Sequence, residues 1–525
     1  MAEILMTGSG TKGYGTAGAS TNRRATKGFR AMSGSPREDI DYNNYTLRQR
    51  GRLMYMGNPI ASSAVKTHRT NTVGLGLKPN PRPDTKFLNV TDEDAAEWAN
   101  HVKREFALWA SRKDSCDATG INDFYELQQM LLTSWLTSGD VFVLVQQAEE
   151  TWRSPYSLRL RALEADRVAT PFGDGTLSVP SLTTGMCANG NLIYDGIEID
   201  RSGRVVAYHI RNTYPFEVTL EQTKFERIEA RGRRTELPNV LHIMNAERPD
   251  QYRGITYLAP CIIQLLQLNR YTEAEITAAV IESFFTAFIT TSENADDVPF
   301  NEATPYGEVN GEGSGVSYDP NDYELGPGTL NVMNPGEDVK FGEPTRPAGG
   351  FAGFVDAIAT QVGASLEIPK DLLMKSFNAS YSASRGALLE AWKSFKMYRT
   401  WFANDFCKPV YELWMSEAVA KGRVSAPGFF TDPAVREAWL KVQWVGPSQG
   451  QLDPKKEVEA EILAISNGFT TREDAALRLN GSDFNDNMEQ LRREQDLIDE
   501  LEPGTPEIKT DEESEEEGDP KNDDI

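Results

Sequence analysis

Residues 254–291 read GITYLAPCIIQLLQLNRYTEAEITAAVIESFFTAFITT. Ile255, Leu258, Ile262, Leu265, Leu266, Leu268, Ile276, Val280, Ile281, Phe284, Phe288 and Ile289 leave hardly any polar face, the pattern of a helix buried on several sides. Pro260 falls within its first turns, where a missing N–H costs little. Helix unbroken from there to Thr290 would be about 45 Å long at ~1.5 Å per residue, which predicts a core rod through the middle of the molecule. A membrane span is excluded, because Arg270, Glu273, Glu275 and Glu282 leave no window of about 20 uncharged apolar residues.

A second long helix is expected over residues 381–422, with Ser382 as a candidate N-cap. Leu388, Trp392, Phe395, Arg399, Phe402 and Phe406 follow one another along one face, and Pro409 predicts a kink. This stripe reads as core or subunit interface rather than a cofactor pocket. It supplies the interface candidates Trp392, Phe395, Phe402 and Phe406.

Toward the N-terminus, residues 45–72 predict two short helices broken at Asn58-Pro59, with apolar positions around Leu53, Met56, Ile60 and Val65. Arg48, Arg50 and Arg52 read as a solvated face in preference to a phosphate site. Amphipathic helices follow at 95–110, with Trp98, Val102, Phe106 and Trp109 inward, and at 124–136. Then VFVLV, LRLRALEADRV and IYDGIEIDRSGRVVAYHIRN alternate in the strand period, with turns at Asp195-Gly196 and Ser202-Gly203, and LPNVLHI (237–243) adds a strand.

Beyond the central stretch, residues 292–350 are punctuated by Pro and Gly around β-like pieces such as GTLNVM and DVKF. The acidic residues of DPNDYELG lack the ordered ligands of a calcium loop. Residues 351–366 are helical again. Asp453-Pro454 restarts a helix, Thr471 with Asp474 marks a cap, and a charged helix fills 484–501.

The fold class is therefore α+β, divided as follows: a disordered basic arm (1–40), a helix-then-strand domain (41–250), the central long helix (251–291), a Pro/Gly-rich module (292–345), two further helices with a connecting loop (346–422), a helical region (423–501) and an acidic disordered tail (502–525). At 525 residues with 39% hydrophobic content, two or three lobes can be buried. A net charge of -24 argues against gripping nucleic acid or anionic lipid over the whole surface.

Evidence for chemistry is thin. Cys116, Cys187, Cys261 and Cys407 stand far apart with no CxxC and no local histidine partner, so no zinc site or disulfide framework is suggested, and a reduced cytoplasmic setting fits. No charged-then-apolar signal segment opens the chain. His68, His101, His209 and His242 are scattered. Gly8, Gly10 and Gly13 spell GxGxxG without a flanking strand and helix, and Ser63 with Lys66 makes SxxK without its companion motifs. No catalytic residue, cofactor or metal is expected.

Several long motifs, taken in order, carry a resemblance. They are LRQRGRLMYMGNP (47–59), CDATGINDFYELQ (116–128), SGDVF (138–142), LRALEADRVATP (160–171), the run from ERPDQYRG to AFIT (247–290), MNPGED (333–338) followed by FGEPTRP, NASYSASRGALLEAWKSFKMYRTWFANDFCKPVYELWM (378–415), and 444–460 with LDPKKEVEA. Together they resemble the portal proteins of tailed bacteriophages of the lambda type, over roughly residues 45–501. Where that family tends to have Asn-Tyr-Ser-Ser, this chain reads Ala379-Ser380-Tyr381-Ser382.

The resemblance implies a dodecameric ring at one capsid vertex, through which double-stranded DNA is packaged and ejected. Implied partners are other copies of the chain, the terminase large subunit, major capsid and scaffolding proteins, a head-completion or connector protein, and DNA in transit without sequence preference. No membrane is implied, and the implied location is the virion, after assembly in the host cytoplasm. Wing, stem, clip and crown would correspond to about 41–250, parts of 254–370, 292–345 and about 420–501. Lys375, Asn378, Ser380 and Tyr381 become tunnel-loop candidates facing the DNA. The rival classes are a nucleic-acid-processing enzyme, which needs a metal or phosphate site, and a non-ring capsid adaptor, usually a shorter chain.

Overall fold

The computed structural model describes residues 20, 24–29, 32, 34–172, 184–218, 222–283, 287–291, 337–341, 350–377, 380–449, 454–482 and 484–501. A π-helical turn at Arg37–Asp41 leads into α1 (Tyr42–Gly57) and α2 (Pro59–Thr72), separated at Asn58 as the sequence predicts. The Asn58 side chain accepts the Ala61 N–H at 2.8 Å, and Pro59 takes the first helical position, whose N–H would be unpaired anyway. The inward face differs from expectation, since Leu53 and Met56 are exposed. The stripe that α1 buries is Asn44, Arg48, Gly51 and Met54: Asn44 and Arg48 meet the Gly254 carbonyl and Asp166, while Met54 joins the apolar core.

Next come β1 (Lys78–Pro81), α3 (Thr85–Leu88), α4 (Asp92–Ala110), α5 (Lys113–Cys116) and α6 (Phe124–Ser138). Thr91 caps α4, and Asp123 with Glu126 forms a reciprocal capping box on α6. β2 (Asp140–Gln147) and β3 (Leu158–Glu164) pair antiparallel. A five-stranded antiparallel meander follows: β4 (Thr184–Met186), β5 (Leu192–Tyr194), β6 (Ile197–Ile199), β7 (Val205–Arg211) and β8 (Phe225–Glu229). Asp195 and Gly196, at φ 43° and 86°, make the tight turn between β5 and β6. β9 (Val240–Met244) then returns to the free edge of β2.

The central stretch departs from the single long helix expected over residues 251–291. Residues 254–257 are not helical, because their backbone is bound elsewhere: the Gly254 N–H donates to Asp140 and the Tyr257 N–H to the Leu136 carbonyl. Helix α7 spans Ile262–Ser283, and Ala287–Thr291 is instead strand β10, paired antiparallel with β11 (Glu337–Phe341). The run AFITT is aromatic and β-branched, and a ladder partner 46 to 54 residues away decides its state. DVKF lies in β11 as expected, while GTLNVM and most of 292–345 fall outside the described residues.

Helices α8 (Phe351–Ser365), α9 (Lys370–Met374) and α10 (Tyr381–Phe402) follow. A π-helical turn at Ala403–Cys407 then joins α10 to α11 (Lys408–Ala420). Pro409 has no N–H for the carbonyl one turn back, and the widened turn takes up that misfit where a kink is expected. The chain closes with α12 (Pro433–Trp439), β12 (Val442–Val445) paired to β1, α13 (Pro454–Ser466), α14 (Arg472–Leu479) and α15 (Phe484–Leu501).

Mixed helix and sheet is therefore the fold class. One large core unites α2, α4, α6, β2, β3 and β9 with α10 and α11 around Phe106, Trp109, Phe124, Phe406, Tyr411 and Trp414. Side chains from residues 54–265 and 362–440 thus share one interior. A smaller core, with Phe142, Val168, Ile197, Tyr208 and Val240, sits under the meander.

Candidate functional site

Helices α7 and α8 form an antiparallel arm. Tyr257 Oη bonds the Leu366 carbonyl at its base, and Tyr271 stacks on Phe351 at 5.7 Å, so the two helices run in opposite directions. Only the base is anchored in the core. Ile262, Leu265 and Leu268 on α7, and Ala359 and Val362 on α8, are buried. Beyond them apolar side chains stand in solvent: Ile276 is 59% exposed, Val280 49% and Phe354 40%, with Ile263 at 67% lower on the arm. The apolar pattern of this stretch thus exceeds what the described residues bury.

The base of the arm is locked by buried charge. Arg253 is fully buried and meets the Asp140 carboxylate at 2.6 and 3.2 Å, while also donating to the carbonyls of Ala165, Val168 and Asp195. Asp140 further accepts from His242 and from the Gly254 N–H. Arg253 and its hydrogen bonds hold the Asp140 carboxyl well below the usual carboxylate range against the cost of burial. Gly139 and Gly254 touch backbone to backbone, and a Cβ at Gly254 would lie 1.9 Å from the Gly139 oxygen. Only glycine fits there.

Arg48 extends the cluster to Asp166 at 3.1 Å and to Asp195, and Arg52 also reaches Asp166. The solvated face expected for these arginines is corrected for Arg48, which is 2% exposed; Arg50 is exposed. No local pattern marks Arg48, Asp140 or Arg253 as partners. The only hint is an arginine beside a glycine at the mouth of an apolar run.

The tunnel-loop candidates separate. Lys375 ends α9 in the left-handed region at φ 55°, and its Nζ donates to Thr67 Oγ1 at 2.8 Å. Ser63 of the SxxK match donates to the Leu373 carbonyl at 2.7 Å, so its role is to hold α9 onto α2. Ser380 is exposed and precedes α10, whose first residue is Tyr381. Asn378 and the Tyr381 side chain lie outside the described residues.

The interface candidates require a correction. Trp392 is 5% exposed, and Phe395, Phe402 and Phe406 are completely buried, all within one subunit. Phe395 packs against His68 at 5.2 Å, Phe402 against Trp135 at 6.5 Å and Phe406 against Phe124 at 5.5 Å. An aromatic stripe announces that a face is covered but not by what, and here α2 and α6 cover it.

The remaining chemistry-bearing side chains are structural or clustered. His68 is enclosed by Tyr257, Phe395 and Tyr398, and burial lowers its pKa to about 3. Cys187, Glu198 and His209 converge, with Cys187 Sγ 3.6 Å from His209 Nε2, although no histidine stands near a cysteine in the sequence. The partner is 22 residues away, beyond the reach of a local spacing test. Among the described residues this is the one such group able to hold a metal ion, and no helix among them is long and apolar enough to cross a membrane.

A family model described as "phage portal protein, lambda family" matches residues 22–399. Portal protein B of Escherichia phage lambda is 21% identical over 481 residues, covering 87% of this chain and 86% of its own. The portal protein of Escherichia phage N15 is 21% identical, covering 83% and 81%. The probable portal protein of Halomonas phage phiHAP-1 is 23% identical, covering 88% and 83%. Among solved structures, a chain from the neck of an empty GTA particle computed with C6 symmetry gives a TM-score of 0.42 at 16% identity, over 84% of this chain and 94% of that one. A chain from the virion of a native gene transfer agent gives 0.40 at 15% identity, over 84% and 94%.

Proposed function

Because the chain belongs to the lambda family of phage portal proteins, we propose that copies of it close into a ring at one capsid vertex, through which double-stranded DNA enters during packaging and leaves at ejection. The observation that carries the ring is the arm: Ile263, Ile276 and Phe354 are exposed on a helical pair that the other described residues leave partly uncovered. Head-to-tail contact between neighbouring arms would cover them, and a closed ring satisfies every such contact. The copy number in this reading is twelve. Its partners are the terminase large subunit, the major capsid and scaffolding proteins, and a head-completion protein. No residue performs covalent chemistry.

DNA must slide through without being held. Each neutralised phosphate adds a counterion-release term that a motor would have to overcome at every step. A net charge of -24 on each subunit suits a repelling channel wall. Ser380, at the exposed entry to α10, is then a candidate for one of the few DNA contacts, whereas Lys375 serves mainly to hold its own loop.

The test is particle shape and mass. Negative-stain images of the purified full chain should show end-on rings with a central hole, and mass photometry should show a high multiple of 58.4 kDa. A soluble monomer stable at micromolar concentration would overturn the proposal.

A further inference from the structure

Three neighbouring pieces of the β4–β8 meander bring a thiol, an imidazole and a carboxylate to one point. Cys187 opens the turn after β4, where its N–H donates to Asn191 O at 2.9 Å and Gly190 takes φ 82°. Glu198 is on β6 and His209 on the adjacent β7. Their ligand atoms all lie within 4.8 Å of one another, with Sγ to Nε2 at 3.6 Å and Nε2 to Glu198 Oε2 at 3.2 Å.

Those separations are close to the edges of a tetrahedron around a zinc-sized ion. Bond lengths of about 2.3 Å to sulfur and about 2.0–2.2 Å to nitrogen and oxygen place S and N roughly 3.5 Å apart, and N and O roughly 3.3 Å apart. Glu198 is fully buried, and its neighbours orient it: Asn189 and Asn191 donate to Oε1 at 2.9 and 2.7 Å, and Arg227 bridges both oxygens at 2.6 and 2.9 Å. Arg227 opposes a cation electrostatically. Its side chain is 38% exposed, however, and two anionic ligands outweigh its single charge.

We propose that Cys187, Glu198 and His209 form a binding site for a zinc-class divalent cation, with three protein ligands and a fourth position open to water. The donor set of one thiolate, one imidazole and one carboxylate selects borderline-soft ions such as Zn²⁺ over Mg²⁺ or Ca²⁺. Binding releases the Cys187 proton to solvent and moves the His209 proton from Nε2 to Nδ1, which frees the Nε2 lone pair. The ion would tie the β4–β5 turn to β6 and β7, and so clamp one end of the meander. This site is independent of the portal reading and of any ring.

Cobalt(II) is the probe, because its spectrum reports both thiolate ligation and tetrahedral geometry. Titration of the full chain, purified reduced and stripped of metal, should saturate at one Co²⁺ per subunit with a thiolate-to-cobalt charge-transfer band, and Zn²⁺ should displace it. Cys187→Ser should abolish that band, and His209→Gln and Glu198→Gln should each weaken binding at least about tenfold. Wild-type protein that binds no stoichiometric Co²⁺, or binds it without the charge-transfer band, would overturn the site without reference to any variant. A band that persists in folded Cys187→Ser would equally overturn it, placing the metal at Cys116, Cys261 or Cys407.

Discussion

Arg253 and Asp140, 113 positions apart, form a bidentate ion pair in which neither side chain reaches solvent. The pair joins the start of β2 to the residue before Gly254, and so sets where the arm leaves the body. Removing one partner leaves the other buried and uncompensated, which typically costs about 3–5 kcal/mol. Asp140→Asn should lose that much in chemical denaturation. Arg253→Lys should lose nearly as much, because a single ammonium cannot reproduce the guanidinium's fork and its carbonyl bonds. A loss under about 1 kcal/mol in Asp140→Asn would mean that the pair is incidental.

Asp41 predicts a pH dependence of definite sign. It is 4% exposed, and burial first, then the Asp195 charge, push its pKa from 3.8 up to about 7 despite Arg253 and Arg48 nearby. The folded state therefore holds a proton that the unfolded chain releases above pH 3.8. This contribution is fully present below that value and is lost as pH rises toward 7. Asn keeps the neutral shape at every pH. The stability of Asp41→Asn relative to the parent should grow by roughly 2–4 kcal/mol between pH 4 and pH 8. A difference that stays flat or shrinks over that range would contradict the assignment.

Core and arm should respond oppositely to substitution. Phe402 is completely buried within the subunit, so Phe402→Ala should cost about 3–5 kcal/mol of folding stability. Ile276 and Val280 are half-exposed or more, so Ile276→Ser with Val280→Ser should change subunit unfolding by no more than about 0.5 kcal/mol each. The same double variant should shift mass photometry from ring toward monomer. Intact rings in the arm variant would remove the arm from the interface.

Lys375 combines a strained backbone with a tether, and two substitutions separate them. Lys375→Ala keeps the φ of 55° and loses the bond to Thr67, a cost of about 1 kcal/mol. Lys375→Gly loses the same bond but relieves the left-handed strain, worth about 1 kcal/mol, and should be nearly neutral in thermal unfolding. Equal losses in the two variants would show that the backbone is not strained.

What the residues determine by themselves is local. Asn58-Pro59, Thr471 with Asp474 and Asp195-Gly196 place helix starts and a hairpin, because caps and turns are settled by groups within four residues of one another. Motif order carried the family resemblance without any contact being known. Tertiary structure alone decided the rest. It made a strand of Ala287–Thr291 by supplying Glu337–Phe341 as a partner, buried Phe402 against α6 instead of a neighbouring subunit, and turned Arg48 inward onto Asp166. It also brought Cys187 to His209 across a turn and two strands. Periodicity reports that a face is covered or a charge compensated, while the identity of the covering group depends on a chain closure across tens to hundreds of residues, which no short window contains.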